Sequence, residues 1–377
     1  MRPRLLPPRF TGRLHDARTA TVIGRWLGAA FAVCFATGLI SHGMQHPPSW
    51  LSGFPSRPVG AYRFTQGLHV ASGIAAVPLL LAKLWTVYPR LFTWPPVRSP
   101  RHGLERLSVG LLVGAAVFEV ATGLLNTAQW YPWPFSFVPV HYAMAWVVTG
   151  SLVLHVAVKA PDIGRHWSRR SAGTLALPAE DARNRRSLLT AVGAAVGAVT
   201  VTTVGQSFTP LKGLDLLAPR HPDQGLQGLP VNRTAAAAGV GAVAEDGYRL
   251  RVDGPRPAVL TLTDLRRLPQ YEAELPIACV EGWSKSAHWG GVRILDLLER
   301  AGAPAHARVR VVSLQTRGGY RVSELDAAHA RDPLTLLALR LGGEELAPDH
   351  GYPARLIAPN RPGVLQTKWV CRLEVLT

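Results

Sequence analysis

Five apolar runs of bilayer-crossing length fill most of the first 208 residues and constrain this chain more than any other feature. They span about Trp26 to Met44, Phe64 to Val87, Leu107 to Trp130, Phe135 to Val158 and Ser187 to Phe208. Each reaches or nearly reaches the roughly 20 residues that cross a hydrocarbon core. The fifth has no charged residue over 22 positions. All five are read as transmembrane helices, the first four forming a bundle.

The net charge of +17 suggests a nucleic-acid binder until its placement is considered. Before residue 179 the only acids are Asp16, Glu105, Glu119 and Asp162. The basic residues there are clustered. Arg2, Arg4, Arg9, Arg13, Arg18 and Arg25 precede the first run, and Arg90, Arg98, Arg101 and Arg106 lie between the second and third. Lys159, Arg165, Arg169, Arg170, Arg183, Arg185 and Arg186 lie between the fourth and fifth, while the alternate loops hold only Arg57, Arg63 or no charge. Positive loops face the cytoplasm, which puts the N-terminus inside and everything after Phe208 outside. The expected location is a bacterial cell membrane, crossed several times, with the lipid bilayer as partner. Topology accounts for the basic residues, so no nucleic-acid partner is expected.

The resulting division is a cytoplasmic segment (1–25), a four-helix transmembrane domain (26–160), a basic cytoplasmic loop (161–186), a fifth transmembrane helix (187–208), a linker (209–228) and a C-terminal domain (229–377). The linker region holds Pro210, Pro219, Pro222, Gly225, Gly228 and Pro230 without apolar periodicity. Beyond it, Tyr248 to Asp253 alternates as an exposed strand and ends at the turn Asp253-Gly254. Leu262 to Leu268 and Ile294 to Ala301 read as short helices, Val309 to Leu314 and Leu373 to Leu376 as strands. Mixed elements without βαβ regularity indicate an α+β domain.

Cys279 lies in Leu275-Pro-Ile-Ala-Cys279-Val-Glu-Gly-Trp283-Ser, followed by Trp289, by His350-Gly-Tyr-Pro-Ala-Arg355 and by Lys368-Trp369. A lone thiolate framed by basic and amide side chains suits one soft metal bond and an anionic cofactor. The bland reading is a small buried hydrophobe. Cys34 and Cys371 read as packing residues, three cysteines make no disulfide framework, and no C-x-x-C offers a zinc or iron–sulfur site.

Over roughly Leu229 to Thr377 these motifs resemble the molybdopterin-binding domain of the sulfite oxidase family, most closely compact bacterial members such as the catalytic subunit of periplasmic methionine sulfoxide reductase. The resemblance implies that Cys279 ligates molybdenum in an oxygen-atom transfer enzyme. It implies that Asn232, His350, Arg355, Gln366, Thr367 and Lys368 hold the cofactor, His350 standing where an Asn is usual. Arg355 and Lys368 would neutralise phosphate, one as a planar fork and one as a point charge. His288, Lys285, Arg317, Arg321 and Arg361 are candidates for a cationic substrate pocket, or are solvated charges.

Ionisable residues within membrane helices are functional candidates, and the first four runs carry His42, His69, His141 and His155. The first three fall near the outer face. His141 and His155 are fourteen residues apart, about 40° short of four turns, so they share a helix side about 21 Å apart. With His69 on the second helix, the pattern over roughly Arg25 to Pro161 resembles the cytochrome b subunits of formate dehydrogenases and hydrogenases. That resemblance implies haem b, one or two: His69 and His141 on an outer haem iron, with His42 and His155 as further haem-iron candidates and His102 a candidate partner for an inner haem. The alternative is that the histidines hydrogen-bond between helices. Glu119 would serve quinol proton transfer or pair with Lys83 or a histidine. Arg183-Asn-Arg185-Arg186-Ser187-Leu188-Leu189 also resembles a twin-arginine export signal, which would make that machinery a partner; simple flanking charge explains it equally.

The expected function is a membrane-bound oxidoreductase moving an oxygen atom on a small sulfoxide or sulfite-like substrate outside the cytoplasm, with electrons exchanged with the quinone pool through haem b. The rival readings are an electron-transfer or docking protein whose molybdopterin-like domain holds no metal, and a haem-free sensor or structural membrane protein.

Overall fold

The computed structural model describes residues 14–48, 50, 53–91, 94–167 and 179–376. Arg2, Arg4, Arg9, Arg13, Arg169 and Arg170, assigned above to cytoplasmic segments, lie outside the described residues. Two compact units emerge. The first comprises described residues up to Thr37, Leu68–Val204 and Leu214–Pro219; the second comprises those of Gly38–Gly67, Gly205–Gly213 and Arg220–Thr377.

Five long helices run through the N-terminal half: α1 (Ala17–Gln45), α2 (Ala61–Leu91), α3 (Pro100–Thr127), α4 (Phe137–Trp167) and α5 (Ala179–Val204). Each is long and apolar enough to cross a membrane. Helix α3 starts where Ser99 accepts from the His102 backbone N–H and Pro100 occupies the first turn, a pairing that satisfies orphan donors without wasting one. His102 is thereby placed in a cap, its ring Nδ1 facing the Arg98 N–H at 3.3 Å. Helix α5 begins at Ala179, ahead of the apolar run, so Arg183, Arg185 and Arg186 lie within its first turns. Glu180 and Asp181 in its first turn suit the positive end of the helix dipole.

The helical core packs Leu27, Leu79 and Leu80 against the small Ala76 and Ala116, with Val192 and Val196 alongside; alanines let backbones approach closely. Away from that core the surface is apolar too, Trp26, Leu107 and Val153 being 65%, 70% and 65% exposed.

The second unit adds α6 (Ala235–Ala238), β1 (Arg249–Asp253), β2 (Ala258–Thr261), α7 (Leu262–Arg267), β3 (Tyr271–Ala278), β4 (Ser284–Arg293), α8 (Ile294–Arg300), β5 (Arg308–Ser313), β6 (Val322–Leu325), α9 (Ala327–Arg331), β7 (Leu336–Leu341), β8 (Glu344–Glu345), β9 (Arg355–Ile357) and β10 (Val370–Leu376). One sheet has the order β2-β1-β10-β5-β6 and the other β3-β4-β7-β8, with β9 on β7. Only β1 and β10 pair in parallel in the first sheet, as an α+β domain allows. In β1, Leu250 and Val252 point inward between exposed arginines, the period of two that buries one face. They join Leu297, Leu298, Val309, Val311 and Leu373 in the main core. A bulge falls at Gly290/Gly291. A Cβ on Gly291 would overlap the Leu337 carbonyl and sit 2.8 Å from Ala338 Cα, so only glycine lets these strands meet.

Candidate active site

Strand β3 delivers Cys279, and the five residues Cys279 to Trp283 turn the chain into β4. Cys279 N–H donates to the Trp283 carbonyl at 2.9 Å, and Gly282 N–H to the Cys279 carbonyl at 3.0 Å. Gly282 has φ of +95°, a conformation glycine adopts at no steric cost. The turn leaves Cys279 buried, 5% exposed.

Around its sulfur the polar groups are specific. Asn232 Nδ2 donates to Cys279 Sγ at 2.8 Å and also meets Glu281 Oε2. Trp283 Nε1 donates to Asn232 Oδ1 at 3.2 Å, which fixes which way the amide points. The thiol donates to Glu281 Oε2 at 3.1 Å. Burial, together with the Glu281 carboxylate, pushes the Cys279 thiol well above its ordinary range; a cation at the sulfur would reverse that.

Arg355 opens β9 and is buried, 5% exposed. Its Nη1 donates to the His350 carbonyl at 3.2 Å and its guanidinium lies 5.4 Å from the Trp289 ring centre. Its Nε is buried without a partner. Lys368 Nζ donates to the Asp349 carbonyl at 2.6 Å and the Arg233 carbonyl at 3.0 Å. Burial and the nearby Arg355 charge bring Lys368 down to about 7, and burial brings Arg355 down to about 10. Two cations held mainly by neutral carbonyls, one with an orphaned donor, form a site that an anion would complete.

The other sequence candidates separate. His350 is neutral: its Nε2 donates to the Leu226 carbonyl at 2.6 Å, and burial depresses it to about 4. Gln366 is consumed internally, its Oε1 accepting from Ala358 N–H at 2.7 Å and its Nε2 donating to the Ala358 carbonyl at 2.9 Å. The Thr367 hydroxyl bonds Ser323 Oγ at 2.7 Å. Gln366 braces the end of β9 and Thr367 bonds β6, so neither presents a free group. Lys285 pairs with Asp223 at 2.9 Å, and Arg361 donates to the Glu324 and Leu365 carbonyls at 2.8 and 3.1 Å. His288, Arg317 and Arg321 are exposed. Tyr320, which motif reading missed, lies close enough for a Cys279 thiolate to raise its hydroxyl, after burial as the larger cause.

Also missed was a collar around the cysteine turn. Gln66 Nε2 donates to the Val280 carbonyl at 3.2 Å, Ser284 N–H to the Gln206 carbonyl at 2.8 Å, and Ser207 Oγ to the Gly282 carbonyl. Asn360 Oδ1 accepts from Tyr62 N–H at 2.6 Å, its Nδ2 donates to the Pro55 carbonyl at 2.7 Å, and Arg57 grips Asp332 with two bonds of 2.9 and 3.0 Å. The one available signal was polar glutamines at the ends of apolar runs.

Within the helical unit, the His69 and His141 ring centres are 6.4 Å apart at 82°. His69 Nδ1 donates to the Cys34 carbonyl at 2.8 Å, and the Cys34 sulfur lies 3.5 Å from the same nitrogen. His141 Nδ1 meets the Glu119 carboxylate and Thr122 Oγ1 at 3.2 Å. Because these acceptors engage Nδ1, each ring keeps its Nε2 lone pair available. The His42 ring lies 5.1 Å from that of His46. Among the described residues His155 meets no second histidine ring, and no group of three or more His, Cys, Asp or Glu residues is gathered for a metal.

Comparison with known proteins agrees with this geometry. The family described as "oxidoreductase molybdopterin binding domain" matches residues 237–377. The chain is 29% identical to human mitochondrial sulfite oxidase over 159 residues, 34% of this chain and 29% of that one. An uncharacterized oxidoreductase, YuiH, of Bacillus subtilis is 35% identical over 127 residues, 33% of this chain and 62% of that one. A protein provisionally named protein-methionine-sulfoxide reductase subunit YedZ1, of Azospira oryzae, is 32% identical over 162 residues, 42% of this chain and 61% of that one. The chain thus spans less than a third of the human enzyme's length. With the cysteine turn and its cationic neighbours in place, residues 237–377 are a molybdopterin-binding oxidoreductase domain of the sulfite oxidase family.

Proposed function

We propose that this chain is a membrane-bound molybdopterin-dependent oxidoreductase that moves an oxygen atom to or from a sulfoxide or sulfite-like substrate outside the cytoplasm and exchanges electrons with the quinone pool through haem b. The observation that carries the reading is the buried Cys279 sulfur, held by the Asn232 amide at 2.8 Å beside an Arg355 whose Nε has no partner. These residues fit the cofactor: a soft donor for the metal and unspent cationic donors for its phosphate. Molybdopterin, when bound, supplies two-electron oxygen-atom transfer.

The chain's own groups then have definite tasks. Cys279 gives the thiolate, and Asn232 orients it with one N–H. Arg355 and Lys368 neutralise the anionic end, while His350 contributes its carbonyl to Arg355 and stays uncharged. Trp289, 0% exposed, keeps water from behind the site, which strengthens every charge interaction there. Arg317 and Arg321 offer exposed positive charge to an approaching oxyanion. The similarity to the Azospira protein, named as a methionine-sulfoxide reductase subunit, supports a sulfoxide among the substrates.

Haem b fits His69 and His141, whose rings are within reach of one iron and whose Nδ1 atoms are already engaged, as bound histidines usually are. It supplies one-electron chemistry. On this reading residues 26–160 are the haem-bearing bundle, 187–208 the fifth span and 229–377 the catalytic domain. The five apolar helices and their exposed apolar side chains support a bilayer location, and the loop charges support a cytoplasmic N-terminus. Export by the twin-arginine machinery belongs to the same proposal.

The test is turnover of the purified protein in proteoliposomes, with a quinol as donor and methionine sulfoxide or dimethyl sulfoxide as acceptor, and with sulfite as donor and a quinone as acceptor. Turnover in either direction is expected. Fully loaded protein that turns over neither class overturns the proposal.

A further inference from the structure

Glu119 lies within α3 and is 8% exposed. A carboxylate among apolar helices is costly unless it has a partner and a task. Its Oε2 makes an ion-pair contact with His141 Nδ1, and both carboxylate oxygens are buried without a hydrogen-bond partner. The Thr122 hydroxyl, one turn further on, donates to the Phe118 and Glu119 carbonyls, and its oxygen lies 3.2 Å from the same Nδ1. His69 provides the contrast, since its Nδ1 donates to the neutral Cys34 carbonyl at 2.8 Å, with the Cys34 thiol sulfur further off at 3.5 Å. Two imidazoles 6.4 Å apart are thus backed differently, one by a peptide dipole and one by a charge.

A carboxylate behind Nδ1 fixes the tautomer, orients the ring and draws the N–H proton toward itself, which raises electron density at Nε2. A more basic Nε2 favours the more highly charged, oxidised metal. We propose that Glu119 is a positioning residue that orients His141 and lowers the reduction potential of the iron shared by His141 and His69. The inference rests on the haem reading above.

The test is a spectroelectrochemical titration of haem absorbance in the full-length, detergent-purified protein and its Glu119→Gln variant. Glu119→Gln is expected to keep its haem and shift the reduction equilibrium at least tenfold toward the ferrous form, a midpoint rise of at least 59 mV for a one-electron couple. Thr122→Val, which removes only the hydroxyl, is expected to shift it less. An unchanged midpoint in haem-loaded Glu119→Gln overturns the proposal. If Glu119→Gln does not fold, Glu119→Asp decides: withdrawing the charge by one methylene must raise the midpoint part of the way, and no rise overturns the inference. Wild-type protein without haem absorbance sinks the haem reading itself, an outcome distinct from full haem with an unmoved potential.

Discussion

Asn232 holds the cysteine sulfur through one end of its amide and the Trp283 indole through the other, so the candidate metal ligand is positioned before any metal arrives. Replacing that ligand, Cys279→Ser, is expected to cut turnover by about 10³-fold, roughly 4 kcal/mol of transition-state stabilisation. X-ray absorption at molybdenum checks the cause, by losing one sulfur scatterer. Arg355→Met removes a charged donor worth about 1.5–3 kcal/mol; molybdenum retained per chain after extended dialysis should fall by at least tenfold. His350 makes a pH prediction with a definite sign. Its folded value, about 4, lies below the ordinary 6.5, so the unfolded chain takes up the proton first as pH falls. Stability should drop between pH 6.5 and 4, and His350→Gln should flatten that drop in thermal unfolding. At this scale Cys279, Arg355 and Lys368 stand out in the sequence because their chemistry is rare in a core, and the structure buries Cys279 and Arg355 and half-buries Lys368. The bonds of Gln366 and Thr367 do not stand out, because a motif does not record that an amide bonds Ala358 or a hydroxyl Ser323.

Among the elements, the helices were legible as apolar runs, and β1, α7, α8 and β5 as short periodic segments. Their ends were not: α5 already contains Arg183, Arg185 and Arg186 ahead of the apolar run, with Glu180 and Asp181 suited to the positive end of its dipole, a local effect that hydropathy ignores. Nor was the attachment of the start of α2 and the residues after α5 to the cysteine-bearing turn, since it is built mostly from backbone carbonyls that carry no residue signature. Asn360 is the element most worth testing. It holds φ of +46° while bonding Tyr62 N–H and the Pro55 carbonyl at 2.6 and 2.7 Å. Asn360→Ala loses both bonds and keeps the backbone penalty, so it should cost about 2 kcal/mol or more. Asn360→Gly relieves the backbone and should cost less, a difference visible in the unfolding temperature of the purified protein.

For the whole molecule, placement of charge mattered more than its amount. A net +17 concentrated in alternate loops supports the proposed topology, and the acid-poor first half with its five long apolar helices leads to a molybdopterin-binding domain whose strands and helices follow a different, mixed pattern. The central claim joins a molybdenum site on Cys279 to a haem iron on His69 and His141 in one chain. Metal analysis of the detergent-purified full-length protein tests it most directly. The account predicts about one molybdenum and one or two irons per chain, the iron appearing as haem b absorbance; iron without molybdenum would reduce the C-terminal domain to a docking module, and the absence of both metals from folded protein would contradict the account outright.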